Sequence, residues 1–198
     1  MMIAKRFLLV LVFLYSFSSN IFATEKGLLS DEEWLEQFEI YLAELGSIKG
    51  EFSQIDQFGK VSKGIFYSNG SGYLKFDYSY PAGMQINIKN GMLAFKESNK
   101  SKTNFYSLED SPLSNLLSKN LTLKSFYIEN LLVTGKIATL ELRTNKKSSR
   151  NSIFITTDYP VPELRQWKII DTQKKETTVF FSNIKKINSP MDSYFEIK

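Results

Sequence analysis

The fold is decided by residues 61–97, which read VSKGIFYSNGSGYLKFDYSYPAGMQINIKNGMLAFKE. Short runs in which apolar and polar residues alternate, such as 73–80, are separated here by clusters of turn residues. Strict alternation places the apolar side chains on one face of a strand. Asn90-Gly91 lies between two such runs and is a strong signal for a two-residue hairpin. The stretch therefore predicts consecutive antiparallel strands.

The same texture continues on both sides of this stretch and predicts a mainly β protein, built as an antiparallel meander or barrel. The segment 145–151 is polar and 158–163 carries two prolines, so both are expected to leave the sheet. Sixteen Phe and ten Tyr against two Trp also favour pleated, half-buried surfaces. The predicted strands are 48–55, 61–68, 73–80, 84–89, 92–97, 123–129, 131–133, 139–144, 152–157, 166–171, 177–183 and 194–197.

An amphipathic helix is predicted before the sheet, at 30–45. Ser30 suits the N-cap, Glu33 follows three residues on as in a capping box, and Gly46 ends the helix. Apolar residues recur at helical spacing and form one stripe. Such a stripe either packs permanently on its own domain or covers a cavity and moves, and periodicity does not choose between them. The lid residues expected from the stripe are Trp34, Leu35, Phe38 and Leu42.

A second, shorter helix is predicted at 110–119, inserted among the strands. Ser111 suits its N-cap and Pro112 its first helical position. Its apolar side is made by Leu113, Leu116 and Leu117.

The chain contains no His and no Cys. This excludes a Ser-His-Asp triad, a thiol nucleophile and the usual zinc, copper, haem and iron–sulfur ligand sets. The carboxylates are dispersed and suggest no facing pair of the kind that glycoside hydrolysis needs. We therefore expect no enzymatic activity, no cofactor and no metal.

The N-terminal segment predicts secretion. A basic start and an apolar run at 7–17 are typical of a cleavable signal peptide, here residues 1–23. The run is too short to span a bilayer as a stable helix; the alternative is an uncleaved anchor. Thr24 stands where a lipoprotein would carry its lipidated Cys, so 24–198 is expected to be one soluble domain. Losing two cations lowers the formal charge from +4 to +2, too small an excess to favour nucleic acid.

Large apolar residues occupy strand positions between residues 52 and 95 of the predicted sheet, and the short helix adds three leucines. Ordinary core packing explains each of them, whereas the functional interpretation is that some line an unfilled apolar cavity. An acyl chain buried there would gain about 0.8 kcal/mol per methylene. The candidate cargo-binding residues are Phe52, Phe66, Leu74, Phe76, Met84, Ile86, Ile88, Leu93, Phe95, Leu113, Leu116 and Leu117.

Several short motifs occur in a fixed order along the chain. They are SIKGEFSQ at 47–54, GIFY at 64–67, LKFDY at 74–78 followed by Pro81, Asn90-Gly91, and LEDSPL at 108–113 followed by Leu116-Leu117. No single motif is specific, but the ordered set resembles the LolA family of periplasmic outer-membrane lipoprotein carriers over about residues 30–197.

The resemblance implies an incomplete antiparallel β-barrel with a lid of helices over an apolar cavity. It also implies a function: a monomeric periplasmic chaperone takes acylated lipoproteins from an inner-membrane ABC transporter and passes them to an outer-membrane receptor. Two further interpretations stay open, a carrier of free lipids or another amphiphile, and a sensor that binds such a partner without shuttling it.

One departure from the family pattern affects the expected release mechanism. Two family arginines fall on Gly70 and Lys75, and the first is understood to tie the lid shut through hydrogen bonds. Glycine cannot do this, and lysine keeps the charge but not the bidentate fork. The resemblance therefore leaves Lys75 as the candidate gate residue. It assigns no hydrogen-bond donor that would close the lid.

Overall fold

The computed structural model describes residues 29–97, 102–109, 111–118, 121–144 and 151–196. The predicted signal peptide and most of the loop at 145–151 lie outside these ranges. Eleven strands form one sheet in which neighbouring strands are antiparallel. They are β1 (Ile48–Ile55), β2 (Val61–Ser68), β3 (Leu74–Tyr80), β4 (Ala82–Lys89), β5 (Met92–Lys96), β6 (Thr103–Ser107), β7 (Phe126–Thr134), β8 (Ile137–Thr144), β9 (Ser152–Asp158), β10 (Leu164–Ile170) and β11 (Glu176–Lys186).

The strand order is β6-β5-β4-β3-β2-β1-β11-β10-β9-β8-β7. The first six strands therefore build one half of the sheet outward from β1. The chain then crosses to the opposite edge through the short helix α2 (Pro112–Leu116), and β7–β11 return strand by strand until β11 pairs with β1. The order ends at β6 and β7, so the sheet stays open. This confirms the predicted incomplete antiparallel barrel.

The first helix, α1 (Asp31–Leu45), forms as the sequence predicts. The Ser30 hydroxyl accepts the Glu33 backbone N–H at 3.3 Å, and the Glu33 carboxylate accepts the Ser30 N–H at 2.8 Å, which completes a capping box. Gly46 ends the helix with a φ of 61°. Trp34 and Phe38 are buried and stack with their ring centroids 5.2 Å apart. The apolar face of α1 therefore packs against the core through these two rings.

Several elements differ from the sequence-based predictions. No strand was predicted at Thr103–Ser107, which forms β6, and the helix predicted at 110–119 has only five residues, because it is one turn in a crossover. The segment Leu123–Ser125, predicted as strand, is a 3₁₀ turn, and β7 runs on as one bulged strand through the predicted break. The strand predicted at 194–197 was also wrong, since Asp192–Phe195 is a 3₁₀ turn.

The two faces of the sheet are covered differently. The inner face carries the apolar residues of alternate positions, which merge with α1 and α2 into one hydrophobic core. On the outer face, the 3₁₀ turn at Asp192–Phe195 covers part of β2–β4. There the Asn87 side-chain amide donates to the Phe195 carbonyl at 2.8 Å, and the Tyr67 and Tyr194 rings meet at 5.2 Å. The C-terminal segment therefore forms a turn that covers part of the outer face, and it adds no strand to the sheet.

Candidate functional site: an apolar cavity beneath the helices

A cavity of about 210 Å³ lies between the inner face of the sheet, the C-terminal half of α1 and the residues around α2. Among the residues that the structure describes, no charged side chain lines it; the polar groups there are hydroxyls, backbone and one indole N–H. This lining suits an uncharged, apolar ligand. The lining residues are Leu42, Ala43, Leu45, Gly46, Ile48, Phe66, Ser68, Gly70, Gly72, Leu74, Leu116, Leu117, Ser118, Leu121, Leu164, Trp167 and Phe181.

The floor of the cavity is a rigid aromatic cluster. Phe181 of β11 meets Phe66 at 5.0 Å and Trp167 at 4.9 Å between ring centroids, both edge to face. All three are at most 8% exposed. Since β1 separates Phe66 from Phe181 in the strand order and Trp167 lies on the next strand along, this contact spans the centre of the sheet.

Three long-range hydrogen bonds join α1 and its neighbours to the other half of the molecule. The Tyr41 hydroxyl accepts the Leu164 backbone N–H at 2.9 Å, and the Glu39 carboxylate accepts the Leu123 N–H at 3.3 Å. Before the helix, the Leu29 N–H donates to the Tyr159 hydroxyl at 2.8 Å. Burial raises the pKa of Tyr41, so its hydroxyl stays neutral in the closed lid.

The end of α1 rests directly on the turn between β2 and β3. A Cβ on Gly70 would lie 2.6 Å from the carbonyl carbon of Gly46, closer than any real side chain approaches backbone. Gly70 also has a φ of 69°, where residues with a side chain are strained. The position that carries a lid-tying arginine in the family pattern is therefore occupied here by a backbone-to-backbone contact.

Of the residues predicted to bind cargo, Phe66, Leu74, Leu116 and Leu117 line the cavity. Leu113 belongs to the core beside them. The remaining predicted strand residues lie on the same inner face. The rings of Phe52 and Phe76 pack edge to face, with their centroids 4.9 Å apart. Strand pairing continues this face across β4 and β5, in the rows Leu74–Ile88–Leu93 and Phe76–Ile86–Phe95. Those on this extension that are only partly buried are Met84, Ile86, Leu93 and Phe95.

Among the predicted lid residues, Leu42 reaches the cavity. Trp34 and Phe38 are 1% and 0% exposed and anchor α1 in the core, with Leu35 partly buried against it. The indole N–H of Trp34 is buried and has no hydrogen-bond partner among the residues that the structure describes. The helix is thus held largely by apolar contact, at the cost of one unpaired donor.

Sequence reasoning missed the cavity residues contributed by the second half of the sheet. Leu164, Trp167 and Phe181 line it, as do Ile48 at the start of β1 and Leu121 after α2. Trp167 and Phe181 both belong to predicted strands, with Trp167 between two polar residues and Phe181 between Phe180 and Ser182. Their meeting with Phe66 depends on the pairing of β1 with β11, which no local pattern indicates.

Lys75 lies on the outer face of the sheet. Its ammonium is 3.5 Å from the Asp77 carboxylate and 4.3 Å from the centroid of the Tyr194 ring. Leu74 and Phe76, on either side of it, point inward. Lys75 therefore contacts the C-terminal turn and not the lid, and this placement gives no support to a gate function.

A wider polar groove of about 860 Å³ adjoins the cavity at the same end of the sheet. The cavity and the groove share Gly72, Leu117 and Ser118 as lining residues. Asn69, Asn90 and several serines supply amides and hydroxyls along the groove. An apolar compartment therefore opens beside a hydrogen-bonding one, the arrangement an amphiphile requires.

Comparison with solved structures shows the same architecture in distant proteins. The chain is similar to a LolA superfamily protein from Nitrosomonas europaea, with a TM-score of 0.50, 10% identity, and coverage of 85% of this chain and 98% of that one. It is also similar to a domain from Vibrio parahaemolyticus assigned to outer membrane lipoprotein sorting, with a TM-score of 0.50, 10% identity, and coverage of 83% and 96%. At these identities the likeness shows the fold alone. A search among curated proteins found no match.

An open antiparallel sheet with helices over an uncharged apolar cavity defines a protein that holds apolar ligands. The chain belongs to the family of the outer membrane lipoprotein carrier protein LolA, whose model matches residues 43–198. The resemblance drawn from the ordered motifs is thereby confirmed, and at the level of the family the chain is a carrier that binds lipids or lipoproteins. In the part of the chain that the structure describes, no helix has the length and apolarity to cross a bilayer.

Proposed function

We propose that this protein is a periplasmic chaperone that takes acylated lipoproteins from an inner-membrane ABC transporter and delivers them to an outer-membrane receptor. The observation that carries the proposal is the uncharged cavity between the aromatic floor and the helices. Acyl chains enter it, while the polar part of the lipoprotein stays outside, beside the groove that shares Gly72 and Leu117. The protein does no chemistry on its cargo.

The volume of the cavity means that cargo loading displaces the helices. Ligand pockets commonly enclose about 300–1,000 Å³, whereas the cavity in this conformation holds about 210 Å³. Several acyl chains need more room, and the floor of buried rings cannot give it. The partly buried face that continues across β4 and β5, with Ile86, Leu93 and Phe95, supplies additional apolar surface once α1 and α2 move aside.

The closed lid is weak enough to be opened by cargo. The Tyr41, Glu39 and Leu29 hydrogen bonds each contribute about 0.5–1.5 kcal/mol. Each acyl methylene that enters the site gains about 0.8 kcal/mol. Methylenes that enter the site therefore offset these hydrogen bonds and part of the apolar contact that holds α1, which leaves binding reversible and delivery to a tighter apolar site downhill.

The decisive experiment is to isolate the mature protein from periplasm and identify the bound material by mass spectrometry. Triacylated lipoproteins in the purified protein, and their release from inner-membrane vesicles on its addition, would support the proposal. Bound phospholipid without lipoprotein would instead indicate a carrier or sensor of free lipids. A protein that stays empty and releases no lipoprotein from the vesicles would refute the carrier function.

A further inference from the structure

The hairpin between β1 and β2 presents a fully exposed aromatic ring on a rigid turn. Phe58 at its tip is 85% exposed, more than any other large apolar residue of the described chain. The Asp56 carboxylate accepts the backbone N–H groups of Phe58 at 2.9 Å and of Lys60 at 3.0 Å. Gly59, with a φ of 77°, donates to the Asp56 carbonyl at 2.9 Å. Hydrogen bonds within the turn therefore define its backbone conformation, and this conformation leaves the Phe58 ring exposed to solvent.

A second hairpin of the same construction lies beside it. In the turn between β10 and β11, the Asp171 carboxylate accepts the backbone N–H groups of Gln173 at 2.8 Å and Lys175 at 2.9 Å. Lys174 takes the left-handed place of Gly59, with a φ of 62°. Because Ile55 pairs with Thr178, the two turns project from the same end of the strands. We call these turns, 56–60 and 171–175, the hairpin end.

The hairpin end is basic. Lys60, Lys174 and Lys175 are exposed, whereas the two aspartates are committed to backbone N–H groups inside their turns. Glu176 is the one exposed carboxylate next to these lysines in the described chain.

A third neighbouring turn adds another aromatic group to this end. Tyr80 closes β3 and is 64% exposed, and it pairs with Lys63, which is itself exposed. Phe58, Tyr80 and the surrounding ammonium groups thus share one end of the sheet.

The Phe58 ring buries little of its surface in the folded protein and stays available for contact with a partner surface. Rings at the headgroup level combined with lysines are what a membrane interface favours, because the ring enters the boundary and the cations meet anionic lipid. We propose that the hairpin end docks this carrier on a bilayer surface that bears anionic lipids, with Phe58 inserted at the interface.

Docking in this way leaves the cavity end free. Ile48 at the start of β1 and the turn containing Gly70 lie at the opposite end of the strands from Ile55 and Phe58. The lid and the polar groove therefore face away from the bilayer when the hairpin end rests on it. The membrane contact and the exchange of cargo with a partner protein use different surfaces, so the two are separable by mutation.

The test is sedimentation of the mature protein with vesicles of phosphatidylcholine alone or of phosphatidylcholine mixed with phosphatidylglycerol. We expect binding to the mixed vesicles only, weakened in high salt because the charges are exposed. F58D and the pair K174Q/K175Q should each lower the partition coefficient by about tenfold. Matched controls are F105D on the edge strand β6, where Phe105 is 65% exposed, and K185Q/K186Q at the other end of β11.

Three results would overturn the proposal: no binding of the wild-type chain to the mixed vesicles, equal binding to neutral vesicles, or loss of binding in the control variants as large as in the hairpin variants. Capture of an acylated peptide in solution should be unchanged in F58D. That measurement separates failure of the docking surface from failure of the carrier function, and it also shows that the variant is folded.

Discussion

Gly46 and Gly70 meet through their backbones, and this contact sets how closely α1 approaches the sheet. G70A should destabilise the protein by roughly 1–3 kcal/mol, because it adds both a strained φ and a clash with Gly46. Urea denaturation measures the difference. G135A is the matched control, since Gly135 has a φ of 60° and a Cβ there would meet nothing within 4 Å. Equal losses in the two variants would show that the contact with Gly46 contributes nothing.

Tyr41 is the second residue that holds the lid. Y41F leaves the Leu164 N–H without its acceptor, and we expect a loss of about 1 kcal/mol and faster amide exchange at Leu164. The control is Y127F, which alters a 60% exposed ring on β7. Unaltered exchange at Leu164 would mean that this hydrogen bond does not hold the lid.

Ionisation of the Tyr41 hydroxyl should lower the free energy of unfolding at alkaline pH. Burial raises the pKa of Tyr41 in the folded state, so its contribution is fully present below the unfolded value of about 10 and is lost as pH rises past it. The stability difference between wild type and Y41F should therefore shrink through this alkaline range. A difference that stays constant up to the highest pH at which the protein folds would contradict the assignment.

At the scale of elements, α1 depends on its capping box. S30A should cost about 1 kcal/mol of stability. The Ser30 backbone and side chain together lower the pKa of Glu33, so the carboxylate stabilises the helix above its unfolded pKa and this support is lost as pH falls. Urea denaturation across the acid range should show a steeper loss in wild type than in E33Q. E36Q, on the exposed side of α1, is the control for the removal of one carboxylate from this helix.

The elements that local signals define could be predicted from the sequence, and those that topology defines could not. The capping box at Ser30 and Glu33 gave α1, and Asn90-Gly91 gave the turn between β4 and β5, with φ values of 52° and 72°. By contrast, β6 is stabilised mainly by its pairing with β5, and the Asp192–Phe195 turn by the outer face it covers. Neither partner can be recognised from the local pattern. For this reason β6 was not predicted, and the C-terminal turn was predicted as a strand.

The site divides in the same way. Phe66, Leu74, Leu116 and Leu117 could be chosen from the alternating strand pattern and the helix face. Trp167 and Phe181 could not, because they reach Phe66 only when β11, the last strand, pairs with β1, the first. The empty space itself is a property of packing between α1, α2 and the sheet, and no residue pattern encodes how completely such a space is filled.

At the scale of the whole molecule, the cavity should reject a charge. L117D places a carboxylate at the apolar wall and should weaken binding of an acylated peptide by about tenfold or more, since an unpaired charge pays for its desolvation. L132D is the matched control, because Leu132 is 57% exposed on β7. Both variants should fold, as Leu117 is only partly buried. Binding that is equally strong in both would place the acyl chain outside the cavity.

The two tryptophans report separately on the floor of the cavity and on α1, since Trp167 lines the cavity and Trp34 lies on the buried face of α1. If acyl chains fill the cavity, Trp167 changes its surroundings directly, whereas Trp34 responds only if α1 shifts. Titration with a single-chain amphiphile should therefore change the tryptophan emission of W34F most, through filling of the cavity, and that of W167F less, through displacement of α1. The reverse pattern would mean that cargo inserts beneath α1, and the site would have to be redrawn around Phe38.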